Sequence, residues 1–252
     1  MLELLISYVF LIFIAITSIL FFLLSILIWF VTVPFDRRLV LLHFYSCYWA
    51  SLYVWIMPSW RFFVTGREKI RKDATYMIVS NHQSQVDILA AFMIFVPFKW
   101  VSKIEVFRLP FIGWNMMLNR YIGLKRGHRD SIRKMMIECE QALAAGNSIY
   151  MFPEGTRSKS GRLKPFKTGA FLLAKKMAVP ILPVVINGSR EALPKNSLVI
   201  RGKHRIRVQV LDEIPYARFA DLSAKETAQM VRSLMMGHVD EHRADASEAK
   251  SA

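Results

Sequence analysis

From Leu4 to Val33 the chain carries no charged side chain, an apolar run longer than the roughly 20 residues a helix needs to cross a bilayer. Met1 to Leu5 has no basic residue, the run is too long for a signal-peptide core, and no small-x-small site follows it, which argues against a cleavable leader. A second uncharged stretch, Leu39 to Pro58, holds His43, Tyr45, Tyr48, Trp49, Tyr53 and Trp55, a composition suited to headgroup depth. If both stretches crossed, Arg37 and Arg38 would lie on the side opposite the rest of the chain, against the positive-inside bias. A single span followed by an interfacial helix, or a hairpin embedded in one leaflet, avoids that conflict. Residues 1–60 therefore read as a helical membrane anchor.

The only charged side chains in residues 1–60 are Glu3, Asp36, Arg37 and Arg38, which cancel, so the whole formal charge of +15 belongs to residues 61–252. A basic domain tethered to an apolar one implies partners with negative charge at a bilayer surface, either membrane lipids or phosphorylated substrates. Nucleic acid would account for the charge but not for the apolar segment. No basic run interleaved with stacking aromatics is present, and no nucleic-acid partner is expected. Cys47 and Cys139 form neither a disulfide framework nor a zinc-type spacing, so no metal and no bound cofactor are expected, and the domain is expected to face the cytoplasm from the membrane.

Short β-rich runs, Thr75 to Ser80, Tyr121 to Leu124, Ser148 to Phe152, Ile181 to Ile186 and Arg205 to Val210, alternate with helical patterns, which predicts an α/β domain over 61–243 with a mixed sheet flanked by helices. Helices are predicted over Ile88 to Phe95, from a cap at Asp130 or Ser131 to Gly146, after Phe166, and over Ala224 to His242. The small, polar stretch 244–252 is expected to be disordered.

Two clusters can carry chemistry. In Ser80-Asn81-His82-Gln83-Ser84-Gln85-Val86-Asp87, between a predicted strand and a predicted helix, a loop histidine can meet a first-turn aspartate; two positions five apart on one regular helix would point away from each other. A carboxylate on one ring nitrogen leaves the other free to accept a proton. A helix-capping imidazole and an ordinary first-turn carboxylate would produce the same letters. The second cluster is Phe152-Pro153-Glu154-Gly155-Thr156-Arg157-Ser158, followed by Gly161 to Gly169. Its glycines, amides, the Thr156 hydroxyl and the Arg157 guanidinium suit an anion site; a solvated basic loop is the bland counterpart.

Together the clusters resemble the glycerolipid acyltransferase family. Asn81-His82 to Asp87 matches its Asn-His-x-x-x-x-Asp block, and Phe152 to Ser158 matches its Phe-Pro-Glu-Gly-Thr-Arg-Ser block. Lys103 with Glu105, Pro110 to Gly113, Arg126, and Ile181 to Val185 resemble intervening and following blocks, so the resemblance covers roughly residues 60–215. Arg120 departs from it, standing where many members have glycine, as does Lys125, where aspartate is common. The resemblance implies acyl transfer from acyl-CoA or acyl carrier protein to a lysophospholipid acceptor, lysophosphatidate first, with another lysophospholipid or an amine-headgroup lysolipid as the alternative. It further implies His82 as general base oriented by Asp87, and an acceptor phosphate held by Gly155, Thr156, Arg157 and Lys103, with Arg126 in the same field. Glu154 would hold the loop or touch the glycerol, and Asn81 and Ser84 would orient the histidine loop.

Overall fold

The computed structural model describes residues 2–194, 197, 199–200 and 202–240. Helices α1 (Leu2–Thr32) and α2 (Val40–Ile56) lead into β1 (Trp60–Thr65), β2 (Met77–Ser80), α3 (Val86–Phe92), β3 (Phe98–Lys103), α4 (Ile112–Leu118), β4 (Ile122–Leu124) and α5 (Arg129–Ala144). These are followed by β5 (Ser148–Met151), α6 (Gly169–Lys176), β6 (Ile181–Asn187), α7 (Ser189–Ala192), β7 (His204–Val210) and α8 (Ala224–Met236). The strands form one seven-stranded sheet in the order β1-β7-β6-β2-β5-β3-β4. From β6 to β4 all neighbours are parallel, β7 runs antiparallel to β6, and β1 is parallel to β7. The mixed α/β sheet flanked by helices is therefore as expected.

The central strands are buried on both faces, as parallel strands with helices on each side must be. Ile78, Tyr150, Leu182 and Ile206 pack beneath α2 and α3 through Trp49, Tyr53, Ala90 and Ala91. Met77, Val79, Ile149 and Val185 point the other way, against Cys139 of α5, Phe171 of α6 and Val231 of α8.

Two strands lie outside the five expected. β1 follows directly on the apolar stretch with only Ser59 between, so its composition merges with that stretch. β3 reads Phe-Lys-Trp-Val-Ser-Lys, and its first lysine breaks the apolar pattern. Lys99 is nevertheless buried, because its Nζ donates to the carbonyls of Arg38 at 2.8 Å and Asn119 at 2.9 Å. Helix α3 begins at Val86 rather than Ile88 and stops before Phe95, which has φ +54 and is followed shortly by Pro97. Neither Asp130 nor Ser131 caps α5. Its N-cap is His128 without a side-chain bond, and the Ser131 hydroxyl instead accepts the Lys125 N–H at 2.8 Å. Helix α8 carries a full capping box between Ser223 and Glu226 and ends at Gly237, short of His242; the predicted disordered stretch 244–252 lies outside the described residues.

Residues Glu3–Thr32 are long and apolar enough to cross a membrane, and α1 leaves a continuous outer face of Leu5, Tyr8, Ile12, Ile16, Leu20, Leu23, Leu27 and Phe30 exposed. A patch of that size locates the chain at a membrane. The opposite face of α1 packs on the domain. Glu3 Oε1 accepts the Gly202 N–H at 3.0 Å, and the Ser7 hydroxyl accepts the Ile200 N–H at 2.9 Å. Phe10 meets Trp60 edge-on at 5.8 Å, Thr17 Oγ1 lies 3.0 Å from the Tyr53 hydroxyl, Phe21 stacks on Trp49 at 5.3 Å, and Phe22 meets Trp114 at 5.5 Å.

Candidate active site

Strands β6, β2, β5, β3 and β4 run in one direction, so their carboxyl ends share one edge of the sheet. That edge is where open α/β sheets collect ligands. His82 follows β2 by one residue, Phe152 follows β5, Lys103 closes β3 and Arg126 lies just beyond β4.

At the end of β2 the Asn81 side chain continues the pairing with β6. Its amide donates to the Ile186 carbonyl at 2.7 Å and its oxygen accepts the Ile186 N–H at 2.8 Å. The chain then turns, and Asp87, the second residue of α3, reaches back so that its Oδ2 lies 2.8 Å from His82 Nδ1. The same oxygen accepts the N–H groups of Gln83 at 2.6 Å and Ser84 at 2.8 Å. The Asp87 side chain is fully buried while the imidazole keeps 11% of its surface exposed. Ser84 turns away: its hydroxyl donates to the Leu193 carbonyl at 2.7 Å and accepts the Val86 N–H at 3.2 Å. The Phe152 ring lies parallel to the imidazole, 4.0 Å from it, and fixes its plane.

The loop after β5 is bound to the histidine loop through Glu154. Its Oε1 accepts the His82 N–H at 2.8 Å and its Oε2 accepts the Lys164 N–H at 3.1 Å. Ser158 N–H donates to the His82 carbonyl at 2.7 Å, closing the junction from the other side. Burial raises the Glu154 carboxyl pKa to about 7, against the lowering effect of those two amide donors. Gly155 adopts φ +71 and its N–H donates to the Phe152 carbonyl at 3.0 Å, so this amide closes a turn instead of being offered to an anion. A Cβ there would meet only the flexible end of Lys167, 2.9 Å away at Cε, so it is the positive φ that favours glycine at this position.

A cavity of about 500 Å³ opens beside the imidazole. His82, Phe152, Thr156, Arg157, Lys103 and Arg126 line it together with apolar walls from Ile88, Leu89 and Phe92 of α3, Trp49 and Tyr53 of α2, and Ile14 of α1. Lys103 is paired with Glu105 at 3.2 Å. Burial and the neighbouring Arg157 charge lower the Arg126 pKa, with Glu105 opposing them, so two guanidinium groups share this field. Of the residues expected from the sequence, His82, Lys103, Arg126, Thr156 and Arg157 meet at the cavity. Asp87, Glu154, Gly155, Asn81 and Ser84 stand behind it and hold it in shape. Among the described residues no cluster of three or more histidine, cysteine, aspartate or glutamate side chains is arranged to hold a metal ion.

Some contributors carried no sequence signal. Gln83 ties its Nε2 to the Gly161 carbonyl at 2.9 Å, joining the two loops. Arg232 of α8 donates to the carbonyls of Leu163 at 2.8 Å and Lys164 at 3.0 Å, and so supports the strap whose amide holds Glu154. Nothing local to residue 232 announces a partner 68 positions earlier.

The chain is 36% identical over 203 residues to the chloroplastic 1-acyl-sn-glycerol-3-phosphate acyltransferase BAT2 of Brassica napus, covering 80% of this chain and 58% of that protein. It is 34% identical over 183 residues to the 1-acyl-sn-glycerol-3-phosphate acyltransferase of Saccharomyces cerevisiae, covering 71% and 59%. The chain thus spans less than two thirds of the length of these relatives. The crystal structure of the 1-acyl-sn-glycerophosphate acyltransferase PlsC from Thermotoga maritima superposes with a TM-score of 0.67 over 91% of this chain and 98% of that one, at 24% identity, a likeness of fold. The profile described as Acyltransferase matches residues 61–187, from β1 through β6, and takes in the His82–Asp87 turn and the loop of residues 152–158: this chain belongs to the acyltransferase family.

Proposed function

We propose that the chain transfers an acyl group from an acyl thioester, carried by coenzyme A or acyl carrier protein, to the free hydroxyl of lysophosphatidate, releasing phosphatidate and a free thiol. The observation that supports this most directly is that an imidazole backed by a buried carboxylate shares one cavity with two guanidinium groups and a largely apolar wall. In this reading Asp87 holds the Nδ1–H tautomer, and Nε2 takes the proton of the acceptor hydroxyl as its oxygen attacks the thioester carbonyl. The tetrahedral intermediate collapses with cleavage of the C–S bond. A thiol of unperturbed pKa near ~8.5 leaves readily as thiolate and recovers the proton from the imidazolium. Arg157 and Arg126, with Lys103, hold the acceptor phosphate, and the apolar walls take hydrocarbon.

The test is to incubate the purified protein in mixed micelles with labelled lysophosphatidate and, separately, acyl-CoA and acyl carrier protein loaded with the same chain. Labelled phosphatidate with at least one donor is expected; its absence with both, from protein shown to be folded, removes the reading. Arg157→Lys is expected to raise the acceptor KM by about 10-fold while leaving the donor KM unchanged, because a point charge does not reproduce the planar two-toothed fork. Equal acceptor KM in both proteins would take Arg157 off the phosphate.

In the same reading α1 lies within one leaflet, and the catalytic domain faces the cytoplasm. Contacts with the domain run from Glu3 to Phe22, a length of roughly 29 Å along the helix, comparable to the hydrocarbon thickness. A crossing α1 would draw β1, Ile200, Gly202 and α4 through the bilayer with it. Fluorophores attached singly at Leu5, Ile16 and Leu27 of the outer face are expected to report similar depth by lipid-borne quenchers. A crossing helix would put position 16 deepest and the other two near opposite surfaces.

A further inference from the structure

The segment joining α1 to α2 brings charge together that nothing in the catalytic reading uses. Arg37 and Arg38 lie in this elbow, and Arg120 lies between α4 and β4. Arg120 Nη1 reaches the Arg37 carbonyl at 3.5 Å. The buried Lys99 bonds the carbonyls of Arg38 and of Asn119, next to Arg120, drawing both segments to one point. Burial, and then the charges of Arg120 and Arg38, bring the Lys99 ammonium pKa down to about 8 with Asp36 opposing, which records how closely these cations crowd. The guanidinium of Arg38 lies over Gly146, at the end of α5.

Exposed cations gathered at one point attract an anion. Among the described residues no carboxylate lies within ion-pair distance of Arg37, Arg38 or Arg120. The nearby Asp36 carboxylate is engaged by the Leu41 N–H at 2.7 Å, and the carbonyl ends of α1, α4 and α5 supply only partial negative charge. Arg120 also holds φ +54, a left-handed backbone that favours glycine and strains a side-chain-bearing residue.

The surroundings identify the anion. Immediately before the elbow Phe30 is 72% exposed, Val31 56% and Phe35 69%, so the cations adjoin an apolar surface continuous with the outer face of α1. Basic side chains bordering exposed aromatics at the end of an apolar helix match the headgroup region of an anionic leaflet. The place is also separate from the candidate active site: Lys99 and Arg120 lie at the amino ends of β3 and β4, whereas Lys103 and Arg126 lie at their carboxyl ends. We infer that Arg37, Arg38 and Arg120 form a binding site for the phosphate of an anionic phospholipid headgroup, at the edge of the sheet opposite His82. The inference stands apart from the acyl-transfer reading.

The test uses the full chain in a neutral detergent, titrated separately with phosphatidylglycerol, phosphatidylcholine and inorganic phosphate while the thermal unfolding midpoint is followed. A saturable rise is expected with phosphatidylglycerol alone. It is expected to persist in His82→Ala and in Arg157→Lys, whose altered side chains line the candidate active site. Arg120→Gly suits the backbone conformation and preserves the fold, yet it is expected to raise the half-saturating phosphatidylglycerol concentration by ~5-fold, as are Arg37→Ala and Arg38→Ala. An equal rise with phosphatidylcholine, an equal rise with inorganic phosphate alone, loss of the rise in Arg157→Lys, or an unchanged titration in Arg120→Gly would each overturn the site.

Discussion

In His82→Ala, phosphatidate formation is expected to fall at least ~100-fold in kcat, the contribution of a positioned general base. The acceptor KM should change little. His82 meets its neighbours chiefly through its backbone, whose N–H binds Glu154 and whose carbonyl binds Ser158, and these bonds survive truncation of the ring. Arg157, proposed to hold the acceptor phosphate, therefore keeps its place while the proposed proton acceptor is lost. Single-turnover rates with each donor, measured beside thermal unfolding, separate the chemical step from folding. A kcat within a few-fold of the parent protein would sink the general-base role and leave the imidazole as a structural group stacked on Phe152.

Asp87→Asn is expected to cost about 10²–10⁴ in kcat, the range bounded by loss of general-base assistance and by loss of the orienting carboxylate in other catalytic triads. The geometry explains why an isosteric change is so costly. One oxygen of Asp87 meets three partners, the His82 Nδ1 and the N–H groups of Gln83 and Ser84, while its other oxygen is buried without a hydrogen-bond partner. An asparagine can place its oxygen toward the three and its amide in the buried position, so the turn is kept. The negative charge that stabilises the imidazolium formed during proton transfer is lost, in a place where no solvent compensates for it. Rate against pH for Asp87→Asn and the parent protein is the discriminating measurement. If Asp87→Asn loses less than 10-fold, the carboxylate is a turn-former and the proton is accepted elsewhere.

How much of this was legible in the letters follows from the range of the forces involved. The apolar helix was readable because thirty uncharged residues admit few alternatives. The parallel core strands Thr75 to Ser80 and Ile181 to Ile186 were readable because burial on both faces demands continuous apolar runs. The His82 turn was readable because its partners lie within five residues, and the loop at 152–158 because its residue types are unusual as a set. β3 was not, since Lys99 looks solvent-bound until the Arg38 and Asn119 carbonyls close on its ammonium. Glu154 read equally well as a ligand contact; only the approach of the His82 and Lys164 amides shows what its two oxygens hold.

By itself the sequence determined that this is an α/β fold preceded by an apolar N-terminal helix, with a histidine and a carboxylate at one strand-to-helix junction, because period, charge and spacing act over a few residues. Only the tertiary structure decided that α1 lies along the domain, that Arg232 supports the strap behind Glu154, and that Arg38 and Arg120 are drawn together around Lys99. Each of these depends on groups tens to hundreds of positions apart, whose meeting is set by sheet order and packing and leaves no mark on the residues nearby.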